Sequence, residues 1–109
     1  FNSVHPRWSY VRCTEMGMVI EAAEKKPISN LATAGFYYFK FSQEFYDGAM
    51  EMIYKNDNLD GLFYICPVFN QLILKQKKIG IFRIEYDKYV SFMSVQFLED
   101  FNKIRLNKQ

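Results

Sequence analysis

The sequence predicts a fragment of the α/β class, an α+β arrangement with about four strands in a mixed sheet and three helices. Three observations carry that prediction. Residues 33–41 form a nearly unbroken apolar and aromatic run, with Phe36, Tyr37, Tyr38 and Phe39 at its centre, and such residues are strong strand formers. Downstream, Phe45, Ala49, Met52 and Ile53 recur at the spacing of one helix face. Between and around these lie turn signals: Gly17, Pro27, the run Asn56-Asp57-Asn58-Leu59-Asp60-Gly61, and Pro67.

The elements follow in order. Residues 1–7 are a polar lead-in with no periodic pattern. Residues 8–13 and 18–23 read as two strands joined through Thr14 to Gly17, with Gly17 free to take positive φ. The run 33–41 reads as a third strand, long enough to cross a sheet and covered on both faces. Ser42 is placed to cap a helix over 43–55, in which Gly48 costs about 1 kcal/mol relative to alanine. Pro67 fits the first position of a second helix, where its missing amide costs nothing. Val68, Phe69, Leu72 and Ile73 give that helix its stripe, and it ends near Gln76. Residues 79–86 read as the fourth strand, interrupted by Asp87 and Lys88. Ser94 is placed to cap a last helix carrying Phe97, Leu98, Phe101 and Ile104 on one face, with fraying after Arg105.

Composition narrows the function classes. At 109 residues the chain is one domain, and half of its residues are hydrophobic, enough to build a core. Fourteen basic against twelve acidic residues leave a net charge of +2. That is no basic face for nucleic acid. Lys75, Lys77 and Lys78 cluster where a helix C-terminus favours cations. Cys13 and Cys66 sit among apolar neighbours and read as small core residues of a reducing compartment, which makes the cytoplasm the default. No apolar run reaches the length of a membrane span. Phe1 as the first residue marks the chain as a processed or cropped piece of something longer.

The stretch from Glu24 to Phe39 organises the rest. Pro27 disfavours the helical region for Lys26, so Glu24, Lys25 and Lys26 sit at a strand end. Ala34 and Gly35 lack bulk and allow a backbone or ligand to come close. A charged strand end facing a strand with a bare glycine suits a small anionic ligand.

These residues resemble the sugar-phosphate nucleotidyltransferases, which join a sugar 1-phosphate to a nucleoside triphosphate and release pyrophosphate. The second half of those enzymes carries a Glu-Lys-Pro element and then a strand of the form Ala-x-x-Gly-x-Tyr-x-Phe. Here the two read Glu24-Lys25-Lys26-Pro27 and Ala32-Thr33-Ala34-Gly35-Phe36-Tyr37-Tyr38-Phe39. The similarity runs from about Trp8 to Phe101, through Phe63-Tyr64-Ile65-Cys66-Pro67-Val68-Phe69-Asn70. It is greatest with the branch found in bacterial capsule and lipopolysaccharide gene clusters.

The resemblance implies that the Lys26 ammonium contacts the sugar phosphate, as suits a flexible point charge with three donors; read without it, Lys26 is equally a solvated lysine in a charge run. The family's sugar-binding glutamate falls at Lys25, so either Glu24 reaches the sugar hydroxyls instead or that contact is lost. Gly35 corresponds to the glycine that lets the strand backbone approach the sugar; relief of packing against a helix explains it as well. Tyr37 and Tyr38 alternate across a strand, so one of them at most lines a pocket. Lys25 and Lys26, taken as successive residues of an extended segment, point to opposite sides.

Other parts of the family pattern are replaced. The aspartate that helps hold Mg²⁺ in the complete enzymes aligns with Ser91, and the following glycine with Met93. No glycine-rich phosphate loop is present, since the five glycines are spread along the chain. Mg²⁺ and the nucleoside triphosphate therefore belong to the complete parent enzyme, and neither a cofactor nor a catalytic residue is expected of this piece. His5 sits beside a proline with no partner for general-base work. Two functions are left: the sugar-phosphate-binding half of a nucleotidyltransferase, or a non-catalytic, self-associating interaction module on the same fold. Strands stripped of their neighbours expose edges and apolar side chains, so a homo-oligomer is expected.

Overall fold

A computed structural model describes residues 1–89 and 95–107. In chain order the elements are β1 (Ser9–Cys13), β2 (Val19–Glu24), α1 (Ser42–Tyr54), α2 (Val68–Leu74), a 3-10 turn (Tyr86–Lys88) and α3 (Val95–Asn107). β1 and β2 form a two-stranded antiparallel sheet. Gly17 makes the connection with φ +82°, as its lack of a Cβ allows.

The register contains a feature that strict alternation hides. Ser9, Tyr10, Val11 and Arg12 face Glu24, Ala23, Ala22 and Glu21, and then the register shifts so that Cys13 faces Val19. Ile20 is left over as a bulge. An extra residue resets the side-chain period of two. Val19 and Ala22, three apart, therefore both enter the core at 5% and 3% exposure, while Ile20 turns outward.

On its other edge β1 is continued by isolated bridges. The Val11 amide donates to Leu31 O at 3.0 Å and the Thr33 amide to Ser9 O at 2.8 Å. Asn2 pairs with Leu31 in turn. The first residues are thus no loose lead-in: Phe1 is buried, its amino group donates to Ala32 O at 2.9 Å, and its ring lies 4.6 Å from that of Tyr89.

The four expected strands are not all found. Among the described residues, 33–41 and 79–86 form no ladder, although the side chains of 36–40 and 79–82 keep the period of a strand. Tyr37 and Phe39 are half-buried, while Phe36 and Tyr38, which alternate with them, are 86% and 74% exposed. Composition sets that alternation, but a strand also needs a neighbouring backbone, and the described segments reach only the starts of the two runs, at Thr33 and Ile79. The expectation of cover on both faces is corrected for the same reason.

The helices are close to expectation at their ends and differ in what they bury. α1 begins at Ser42, so Phe41 is the cap residue, and no side chain caps it. Its buried residues are Gly48 and Met52, whereas Phe45 and Ile53 are partly exposed. The face is rotated because the glycine lets α2 come close: a Cβ at Gly48 would stand 2.9 Å from Val68 Cγ1. Val68 is buried and β-branched, so it has little room to move. Gly48→Leu is therefore expected to cost on the order of 3 kcal/mol, because overpacking outweighs the helix propensity gained. Urea denaturation of both proteins checks this; an unchanged midpoint contradicts it.

α2 starts one residue later than expected, with Pro67 as cap, and ends at Leu74. Val68, Phe69 and Leu72 are buried; Phe69 and Leu72 join Val11, Val19, Ala22 and Cys66 in the main core, against which Tyr37, Phe39, Ile79 and Ile81 pack. A smaller cluster holds Phe1, Tyr10 and Ala32. α3 remains helical to Asn107, past the point where fraying was expected. Ser91, Met93 and Ser94 lie outside the described residues.

Burial pushes the Cys66 thiol up to about 12 from an ordinary 9.0, with a hydrogen bond to Tyr37 as a smaller opposing effect. Burial, then the neighbouring Cys66, also raises the Tyr37 phenol. Both groups are held protonated in the native state. Their stabilisation is complete below the unfolded values and is lost as pH rises through the folded ones. For Cys66 the window runs from about pH 9 to about pH 12. Stability is expected to fall steadily across it, and Cys66→Ala should flatten part of the fall in denaturant midpoints taken at successive pH values.

Candidate functional site

The end of β2 opens onto a groove of about 420 Å³ that carries charged and polar side chains, Glu24, Lys25 and Lys26 on one side and Asp57, Asn58 and Tyr64 on the other, over a partly apolar floor that includes Leu59 and Leu62. The chain turns sharply to make the first wall. β2 stops at Glu24, and Lys25 takes a left-handed φ of +54°. The Lys25 amide donates back to Trp8 O at 3.0 Å. Across Pro27, the Ile28 amide closes a tight turn on Lys26 O at 2.8 Å.

This geometry corrects one expectation. An extended segment sends successive side chains to opposite sides, but the left-handed residue breaks that alternation, and both lysines line the groove. They differ in occupation instead. Lys25 Nζ donates to Tyr64 Oη at 3.1 Å and sits 5.2 Å from the centre of the Tyr64 ring. That hydrogen bond, with smaller help from the Glu24 and Asp60 carboxylates, raises the ammonium's pKa. Lys26 Nζ makes no hydrogen bond or ion pair with a described residue. It is an exposed cation at the mouth of the groove.

Glu24 accepts a hydrogen bond from Ser9 Oγ, across the first rung of the sheet. One carboxylate oxygen is engaged there, which fixes the group beside the groove. The strand behind it is fixed by Asn70 of α2. The Ala22 amide donates to Asn70 Oδ1 at 2.8 Å, and Asn70 Nδ2 donates to Ala22 O at 2.7 Å. The opposite wall is a tight polar loop: Asn56, Asp60 and Gly61 all have φ between +53° and +81°. The Gly61 amide donates to Asn58 Oδ1 at 3.0 Å.

Of the three residues singled out from sequence, Glu24 and Lys26 come together and Gly35 does not join them. Gly35 has φ +80°, and a Cβ built on it would meet nothing within 4 Å. Its conformation is what calls for glycine; neither backbone approach nor relief of helix packing does. Tyr64, Asn70, Asp57 and Asn58 were not singled out. The run 56–61 was visible as a turn-rich helix terminator, and nothing in it announced which strand end it would face.

A second cavity, about 730 Å³ and largely apolar, lies between the runs 33–40 and 77–84. Among the described residues no group of three or more His, Cys, Asp or Glu side chains is placed to hold a metal ion. No described helix is long and apolar enough to cross a membrane.

No protein-family model matches the chain, and no curated protein matches it. Among solved structures it is similar to a nucleoside-diphosphate-sugar pyrophosphorylase from Vibrio cholerae RC9, with a TM-score of 0.85 and 27% sequence identity over 93% of this chain. The chain spans 43% of the length of that protein. Over that span its fold is nucleotidyltransferase-like.

Proposed function

We propose that this chain is the sugar-phosphate-binding portion of a sugar-1-phosphate nucleotidyltransferase, serving surface polysaccharide synthesis. The observation that carries the reading is the unpaired Lys26 ammonium at the groove mouth, beside Glu24 and across from Tyr64. A sugar phosphate needs a cation for its phosphate and polar or aromatic groups for its ring, and the groove offers both. Support comes from the likeness to the Vibrio cholerae pyrophosphorylase; the polysaccharide setting rests on the sequence resemblance alone. In this reading Lys26 binds the phosphate, Glu24 accepts from sugar hydroxyls, and Gly35 shapes the backbone without touching the ligand. The described residues offer no donor set that fits Mg²⁺, so no step is assigned to the metal, which like the nucleotide belongs to the complete enzyme.

Titration calorimetry tests this directly. The chain is expected to bind a sugar 1-phosphate and to show no binding of a nucleoside triphosphate. It is also expected to release no pyrophosphate from a mixture of the two. Equal binding of both ligands, or of neither, overturns the assignment. The second reading, a non-catalytic interaction module, is favoured by one observation, the exposure of Phe36, Tyr38 and Phe82 around the apolar cavity.

A further inference from the structure

Charged side chains line both walls of the groove at the end of β2: Glu24, Lys25 and Lys26 on one, Asp57 on the other. Two of these are already engaged. Lys25 Nζ donates to Tyr64 Oη at 3.1 Å, and the Glu24 carboxylate accepts from Ser9 Oγ. The side chains of Lys26 and Asp57 make no hydrogen bond or ion pair with a described residue, nor with each other. They are of opposite sign and face each other across an open space. At about 420 Å³ that space is of a size to hold one small molecule.

The fold gives no account of Asp57. Its amide donates to Met52 O at 3.0 Å, which ties the residue to the last turn of α1. A helix C-terminus carries partial negative charge and favours cations. The last turn holds no basic residue, and the Lys55 ammonium beyond it is taken by Gln71 Oε1 at 2.8 Å and Glu51 at 3.8 Å. A carboxylate in that position lowers stability unless something positive comes to it. A phosphate alone makes matters worse: held on Lys26, it adds close to two negative charges across the groove from Asp57, and like charges repel. A sugar hydroxyl can donate to Asp57, but water does the same, whereas a cation also offsets the repulsion. We infer that the groove takes an amino sugar phosphate, with its phosphate on Lys26 and its ammonium on Asp57. The inference rests on the sugar-phosphate reading above and narrows it to a substrate class.

Calorimetry at about pH 6.5, below the range in which an amine of this kind loses its proton, compares glucosamine 1-phosphate, glucose 1-phosphate and N-acetylglucosamine 1-phosphate. The acetylated compound keeps bulk at the amine position and loses the charge. Glucosamine 1-phosphate is expected to bind tightest, by on the order of fivefold over the other two. Asp57 is exposed, so its substitution tests the charge and not the fold. Asp57→Asn should abolish the preference, and Asp57→Glu, which retains the charge, should keep most of it. Equal binding of the three compounds overturns the inference and leaves the sugar-phosphate reading standing. No binding of any of them overturns both. A preference that persists in Asp57→Asn also overturns the inference, since the ammonium is then met elsewhere.

Discussion

Lys26→Ala is expected to weaken sugar-phosphate binding by roughly ten- to a hundred-fold. A phosphate monoester carries close to two negative charges at neutral pH, and an ammonium against it makes a charge-assisted hydrogen bond. Such bonds contribute on the order of 1.5–3 kcal/mol net, at about 1.4 kcal/mol per decade of affinity. Lys25→Ala is expected to do far less, although both side chains line the groove. The reason is occupation: the Lys25 ammonium already donates to Tyr64 Oη, whereas Lys26 has nothing to give up. Calorimetry of wild type and the two variants with a sugar 1-phosphate decides the matter. Equal losses in both variants would return the charge run to the status of a solvated face.

The largest effect on stability is expected at Tyr10. Its side chain is fully buried, its hydroxyl donates to His5 O at 2.5 Å, and its backbone pairs with Ala23 on one side and Ala32 on the other. Truncating a buried aromatic residue costs about 3–5 kcal/mol, a large share of the stability of a domain this small. Tyr10→Ala should therefore be largely unfolded in dilute buffer by circular dichroism. Tyr10→Phe keeps the ring and loses the hydrogen bond, which should cost about 1 kcal/mol. A Tyr10→Ala protein that melts like wild type would mean that the Phe1–Tyr10–Ala32 cluster contributes little.

What the sequence made legible, and what it hid, follows from the range over which each signal acts. β1, β2, the Gly17 turn and both ends of α2 are local, and local chemistry placed them within one or two residues. The same pattern-reading placed Phe36 to Phe39 in a strand-like run, but pairing is a relation between distant segments, and the run 36–40 has no backbone partner among the described residues. The α1 face was misread because the contact is made by Gly48, a residue that hydrophobic spacing ignores. In the groove, Lys26 and Glu24 were legible through Pro27 and the family motif. Tyr64 and Asn70 were not, since each acts 39 or 48 residues away from its partner. Lys25 escaped because no proline, glycine or asparagine warned of its left-handed backbone.

The carboxamide of Asn70 offers one donor and one acceptor at nearly the spacing of a peptide unit, and it occupies Ala22 as a strand would. Three residues earlier the Val19 amide is taken by Ile79 O. Along this margin of β2, then, two of the sites at which an incoming chain could zip up are already taken, that at Ala22 by a side-chain group that cannot itself be extended and that at Val19 by a backbone carbonyl. In the language of polymer growth, Asn70 is a chain terminator. Any stacking of one molecule on another through sheet edges at Ala22 must start elsewhere, and a carboxylate at position 70 would keep the Ala22 amide occupied while freeing Ala22 O, lifting half of the block.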